Sequence, residues 1–382
     1  MKNIIYIITI ICVCVNTSCN TMKKEDSMKD YAVLHLDLAG GDPVFLEADS
    51  LLGEKVIIPL ETTDESIIGN IDKLEILHDT LYILDDDQDM VFLFDKTGKY
   101  ITRIADIGRG AQEYLSISDF HIDSDIIYVV ADGNQKVFCY DLQGKFLSSF
   151  STEFSANKIA TDSNYIYVYY NFSHRQNYNV ATYNKKDYTL HRRYKYYPPQ
   201  QAGTGYGARA WTGCGNEVYA SFPYGYNIYQ LFPDTCKIIA AYDCGEKNMF
   251  PKDWSTFSPR QVQEFVKNKG GAIGLRIASD VTDLFVTPKR LLFSFIYKSL
   301  KHNVLIDRET KKIHFGVFKA GNLYYWNVMS TIVGLAGDYL VISSSASDLL
   351  RSLPYMPDDA LEQGLNIKED DNPCLYFYKF KD

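Results

Sequence analysis

The feature that most limits what this chain can fold into is a repeat. A short apolar strand recurs as Leu81 to Leu84, Ile127 to Val130, Ile166 to Tyr169, Val218 to Ser221, Leu291 to Ser294 and Tyr339 to Ile342. Each copy is followed by a second strand: Val91 to Asp95, Val137 to Asp141, Val180 to Asn184, Ile228 to Phe232, Asn303 to Asp307 and Leu375 to Lys379. The second strand runs into a polar turn such as Asp95-Lys96-Thr97-Gly98-Lys99 or Asp141-Leu142-Gln143-Gly144-Lys145, where Gly98 and Gly144 suit the left-handed position of a hairpin. A third strand follows, as in Tyr100 to Ile104, and a further one precedes, as in Ile71 to Leu77, so the unit is a four-stranded antiparallel meander. A repeat of about 40 to 50 residues that makes four strands is a propeller blade, because solenoid repeats of that length are helical. The chain is therefore read as all-β, a six-bladed β-propeller of four-stranded antiparallel blades over residues 51–382. Its 30 tyrosines and 21 phenylalanines supply the bulky packing that stacked blades need.

The sixth copy ends almost at the C-terminus, so its outermost strand must come from elsewhere. Lys55-Val56-Ile57-Ile58-Pro59-Leu60 has no other partner and is expected to close the ring, with Pro59 suited to a strand that has one free edge.

The N-terminus reads differently. Lys2 precedes an apolar run, Ile4 to Val15, too short to span a bilayer but suited to an export signal. Asn16-Thr17-Ser18-Cys19 resembles the lipobox at which bacterial lipoprotein precursors are cut and the cysteine acylated, giving a signal peptide over 1–18, lipidation at Cys19 and a tether and lead-in over 19–50. Asn16 stands where an aliphatic residue is usual, which leaves a plain secretory signal or an uncleaved anchor open. Lys23-Lys24-Glu25-Asp26 resembles a short signal for display on the outer cell surface, and reads equally as a solvated tether. With a net charge of −9 and no basic block, nucleic acid is excluded as a partner, and the membrane is reached through the lipid anchor only.

In a propeller, the connections between strands two and three, and from one blade to the next, leave on one face. Every long insert belongs to that set: Asn171 to Asn179, Tyr196 to Tyr206, Cys244 to Ser279, Lys319 to Met329 and Ser343 to Pro373. Elaborating loops on one side of a rigid scaffold is how binding faces are built. Short helices are expected in the inserts, one started by Ser258-Pro259-Arg260-Gln261 and another around Pro357 to Glu362. Arg109, Tyr178, Tyr206, Arg209 and Trp211 are candidate ligand contacts, as are Trp254, Arg276, Tyr325 and Trp326. Flat rings with forked donors suit glycans or peptides, although such rings also serve to pack loops onto a scaffold.

Hydrolase elbows, zincin helices and phosphate-cradling glycine loops are absent. Asp72, Glu75, Asp119, Asp280 and Asp283 are candidate ligands for a calcium-type divalent ion in the axial channel, or simply polar groups of channel and turns. The acidic stretch Lys368 to Asn372 lacks the ligand spacing of a calcium loop and reads as a solvated turn. His78 and His121 are read as structural residues at equivalent places late in the innermost strands. Beyond the signal and Cys19, five scattered cysteines imply no disulfide framework, while allowing one bridge among Cys214, Cys236 and Cys244.

From about residue 50 onward the chain resembles the six-bladed β-propeller lipoproteins abundant in Bacteroidota, related to NHL-repeat and TolB-like propellers. The resemblance rests on Ile58 to Gly69, on Val91-Phe92-Leu93-Phe94-Asp95-Lys96-Thr97-Gly98, on Gly108-Arg109-Gly110-Ala111-Gln112-Glu113-Tyr114 and on Asp371-Asn372-Pro373. Family members often read Gly-Pro-Glu-Tyr where Ala111-Gln112-Glu113-Tyr114 stands. The resemblance implies a propeller in the cell envelope, exported as an outer-membrane lipoprotein, and transfers no catalytic residue. The expected function is non-enzymatic recognition of a glycan, peptide or envelope protein through the insert-bearing face. The alternative is a metal-assisted lyase or hydrolase in the axial channel.

Overall fold

Antiparallel meanders follow one another along the chain, as the hairpin chemistry requires. The computed structural model describes residues 32–36, 38, 44–173, 177–197, 210–223, 225–251, 256–258, 260–261, 264–265, 277–319, 330–352 and 367–381. Blade one consists of Lys73–Leu77, Thr80–Asp85, Met90–Asp95 and Tyr100–Ile104, paired in that order. Blades two to six begin with the innermost strands Asp119–Asp123, Lys158–Thr161, Trp211–Cys214, Asp283–Val286 and Ser330–Ala336. Each innermost strand touches the next, and the sixth touches the first, so the ring is closed. Gly98 and Gly144 have φ of 85° and 78°, and the carboxylates of Asp95 and Asp141 accept the backbone N–H groups of the turns they start.

Closure is made as expected. Leu52–Pro59 pairs antiparallel with Cys374–Phe380 as the outermost strand of blade six. Asn372 clasps the joint. It is 3 % exposed, and its side chain accepts from Ile68 N at 2.8 Å while donating to Glu61 O at 2.8 Å and Ser66 O at 2.7 Å.

Six apolar layers fill the spaces between neighbouring blades. Between blades one and two, for example, Val91, Leu93 and Ile104 meet Phe120, Val129 and Phe138, with Tyr114 fully buried among them. The Gly108–Tyr114 connection is a local turn: Gly110 N donates to the Glu113 carboxylate at 2.7 Å and Tyr114 OH donates to Asp89 O at 2.8 Å.

The lead-in contains two strands that its sequence did not announce. Ala32–His35 adds in parallel to the outer edge of blade four, and Phe45–Glu47 adds in parallel to that of blade five. Leu34, Leu36 and Leu38 join the layer between those blades. Gly316 admits this strap: its φ is +149°, and a Cβ there would lie 2.6 Å from Val44 O. Parallel pairing leaves no hairpin signal in a sequence, which is why a strap of this kind reads as linker.

Two helical inserts are described. Ser258 N and Oγ both donate to Gln261 Oε1, and Gln261 N donates back to Ser258 Oγ at 3.3 Å, so the expected capping box forms ahead of helical residues 260–261. A second short helix spans Ala346–Ser352. The helix expected at Pro357 to Glu362 lies outside the described residues. No helix among the described residues is long and apolar enough to cross a membrane.

Candidate functional site

The innermost strands leave one edge unpaired toward the axis, and a buried backbone group without a partner is costly. Side chains from adjacent blades supply the partners. Glu75 accepts from Ile122 N of blade two at 2.8 Å, and Asp119 accepts from Ile159 N of blade three at 2.9 Å. Lys73 donates to Phe120 O, and Lys158 donates to Ser118 O at 3.1 Å. The charges at the start of successive innermost strands are therefore edge caps first.

They also bind one another. Lys73 Nζ lies 3.1 Å from Glu75 and 3.0 Å from Asp119, and Glu75 meets His121 Nδ1 at 3.0 Å. Burial alone would raise the Glu75 pKa, but His121, Lys73 and the Ile122 N–H outweigh it and hold the carboxyl at about 2. Burial alone would lower the Lys73 ammonium, and its two carboxylate neighbours leave it raised instead. At the end of the channel where strand one begins, Asp72 accepts from Asn70 Nδ2 at 2.9 Å and from Asp86 N at 3.0 Å. Burial, and then the hydrogen bond and like charge of Asp72, push Asp86 up to about 6.

Inside this ring lies a cavity of about 1180 Å³, lined by residues of all six innermost strands. Its charges are gathered on one side. The charged lining, Asp72, Lys73, Glu75, Asp119, His121 and Lys158, comes from blades one to three, whereas apolar lining comes both from blades one and two, as Leu74, Ile76 and Ile122, and from blades five and six, as Phe285, Val286 and Ile332. Trp211 of blade four stands at the junction. It is 4 % exposed and stacked on Tyr169 with centroids 5.4 Å apart, and its Nε1 is buried with no hydrogen-bond partner among the described residues. Asn157, which lines the same cavity just before the innermost strand of blade three, has a buried Oδ1 that likewise has no partner among the described residues. Both sit at the end of the ring from which the long connections leave.

The cavity thus brings together Asp72, Glu75, Asp119 and Trp211. Asp280 and Asp283 do not line it: Asp280 is buried, and Asp283 is paired with Lys301 at 2.7 Å. Among the described residues no group of three histidine, cysteine or carboxylate side chains could hold a metal ion. Arg109 is exposed on the turn between blades one and two. Tyr178 is 6 % exposed, its hydroxyl donates to Glu153 at 2.6 Å, and its ring packs against Phe154, Tyr170 and Tyr196. Cys19, Tyr206, Arg209, Trp254, Arg276, Tyr325 and Trp326 lie outside the described residues.

The structure corrects two readings. His78 and His121 are not equivalent: His78 occupies a left-handed turn position with φ of 47°, whereas His121 is mid-strand and lines the cavity. Cys139, Cys214, Cys236, Cys244 and Cys374 are all free, so the bridge allowed among Cys214, Cys236 and Cys244 does not form. Asp371 accepts from Lys368 N at 2.7 Å, closing the acidic stretch into a turn. Asn157, Lys73 and His121 were missed as cavity residues. For Lys73 and Asn157 the available signal was a charged or amide residue at the head of the innermost strands of blades one and three.

The fold is shared with solved structures. A Bacteroides fragilis protein whose name assigns it to export is 17 % identical with a TM-score of 0.73, covering 92 % of this chain and 99 % of that one. A Bacteroides vulgatus member of the DUF4221 family is 11 % identical with a TM-score of 0.53, covering 87 % and 97 %. No curated protein matches the sequence. The family model described as "Domain of unknown function (DUF4934)" matches residues 42–379.

Proposed function

The chain belongs to the DUF4934 family, and on that premise we propose that it is an exported, lipid-anchored recognition propeller that holds a glycan, a peptide or a segment of an envelope protein in its axial cavity. The axial cavity carries this reading. Its charged groups on blades one to three are held by hydrogen bonds and apolar side chains share the lining, and ligand sites combine a few fixed polar groups with apolar surface in this way. Export and attachment are supported by the apolar run Ile4 to Val15 and by Cys19, and an outer-membrane location is supported by the resemblance to NHL-repeat and TolB-like lipoproteins.

A plug tests the site. Gly334 lines the cavity, has no positive φ, and a Cβ added there meets nothing within 4 Å, so Gly334→Phe should fold and fill the space. Ligands found on glycan and peptide arrays should be lost by this variant; ligands that bind it as well as the natural protein would rule the cavity out. Incorporation of a labelled fatty acid that Cys19→Ala abolishes is the expected result for the anchor.

A metal-assisted lyase or hydrolase is the second reading, favoured by the Glu75–His121 contact. A carboxylate that fixes one imidazole nitrogen leaves the other available for proton transfer or metal binding. Stoichiometric metal that disappears in His121→Ala would put this reading first.

A further inference from the structure

We propose that the axial cavity takes a cation: an alkylammonium or guanidinium group on an aliphatic stem, seated on His121 with the stem along the apolar lining. This rests on the recognition reading above and narrows its ligand to a basic one.

The imidazole is the seat because its orientation is fixed and one nitrogen is left over. Glu75 is ionised, its carboxyl being held at about 2, so in the neutral ring Nδ1 carries the proton donated to Glu75 at 3.0 Å and Nε2 keeps a lone pair. Glu75 is itself pinned by Ile122 N at 2.8 Å and Lys73 at 3.1 Å. His121 is 8 % exposed and lines the cavity, and among the described residues its Nε2 has no hydrogen-bond partner. The ring reaches from blade two toward the innermost strand of blade four, where a Cβ on Gly213 would lie 2.9 Å from Nε2, so glycine keeps a side chain off that nitrogen. An acceptor so placed calls for a donor from the ligand, and ammonium and guanidinium groups are donors only.

Charge selects the sign. Five carboxylates and three ammonium groups line the cavity, a balance of −2 with His121 counted as neutral. Each ammonium already has an oxygen partner: Lys73 meets Glu75, Asp119 and Phe120 O, Lys185 meets Asp123, and Lys158 donates to Ser118 O. A channel with low-dielectric walls focuses the acidic excess, concentrating cations and repelling anions. The net charge of −9 on the whole chain acts in the same direction. The stem is accommodated as well. Leu74, Ile76 and Ile122 stand on the blades that carry the charges, and Phe285, Val286 and Ile332 add to the lining from blades five and six. Lysine and arginine lay their stems on apolar surface in this way while the head group keeps polar partners.

The test is calorimetric titration of the full chain at pH 7.5 with capped glycine-rich peptides carrying a central lysine, arginine, norleucine or glutamate, and with cadaverine and a neutral glucan oligosaccharide. Asp86, raised to about 6 by burial and by Asp72, is ionised at that pH. The lysine or arginine peptide or cadaverine should bind, more weakly as salt is raised, and the norleucine and glutamate peptides should not. Tighter binding of a peptide supports a protein side chain as the source, tighter binding of cadaverine supports a free polyamine, and both support the cationic assignment. His121→Phe keeps a ring over Gly213 and removes the acceptor, so it should weaken binding about tenfold or more with thermal melting unchanged. Asp86→Asn removes one charge and keeps a donor toward Asp72, so it should weaken binding about threefold. Preference for the norleucine peptide, the glutamate peptide or the glucan, or unchanged affinity in both variants, while Gly334→Phe still blocks binding, overturns the cationic assignment and leaves the recognition reading standing. Should no probe bind, or should Gly334→Phe leave binding intact, the cavity fails as the recognition site and both fall.

Discussion

Replacing Asn372 by alanine should open the ring's closing joint, and the size of the effect follows from its contacts. The side chain is buried and makes three hydrogen bonds, to Ile68 N, Glu61 O and Ser66 O. Loss of the acceptor strands the buried Ile68 N–H, at a cost of about 1 to 3 kcal/mol. The donors are worth about 1 kcal/mol each, less at Glu61 O, which keeps the Ser66 hydroxyl as a second partner at 2.7 Å. The total is about 3 kcal/mol. Guanidinium unfolding followed by tryptophan and tyrosine fluorescence reads it directly, with the slope unchanged and the midpoint lowered. Asn372→Asp keeps the acceptor for Ile68 but turns a carboxylate toward two carbonyl oxygens, so it should be at least as damaging. A loss below about 1 kcal/mol in Asn372→Ala would show that strand pairing alone closes the ring, and would refute the clasp.

Three further outcomes can be checked. Gly98→Ala should cost more than 2 kcal/mol in the same assay, about the upper range for single changes, because φ is +85° and the new Cβ would fall 2.0 Å from Pro59 O. Glu75 is held at about 2, below its ordinary 4.5, so its contribution is present above pH 4.5 and is lost as pH falls toward 2. Glu75→Gln should flatten the acid limb of the stability curve in that window by up to about 3 kcal/mol, and an unchanged limb would count against the Lys73–Glu75–His121 network. Burial pushes the thiols of Cys244 and Cys374 up to about 12, so both should resist a thiol-specific reagent at pH 8 until the protein is unfolded.

The blades were legible because each is a local meander. Strand alternation and turn chemistry act between residues a few positions apart, and Asp95 with Gly98, or Asp141 with Gly144, announce their hairpins on their own. Ring closure was also readable, since Leu375 to Lys379 had no fourth strand and Lys55 to Leu60 had no partner. The strap at Ala32–His35 and Phe45–Glu47 was not, because its parallel pairing depends on edges formed two hundred or more residues later.

The candidate site divides along the same line. The residues at the heads of the innermost strands are visible in the sequence as polar interruptions, and Trp211 was named among the aromatic candidates. The sequence could not show that Trp211 and Asn157 line one cavity, or that Tyr178 is spent on packing blade three. Nor could it show that the channel charges neutralise one another. Whether a polar atom is satisfied depends on every neighbour that surrounds it, and here those neighbours come from six strands spread over the chain. Periodicity and turns determined the blades; closing the ring decided which side chains face the axis and which of their charges meet.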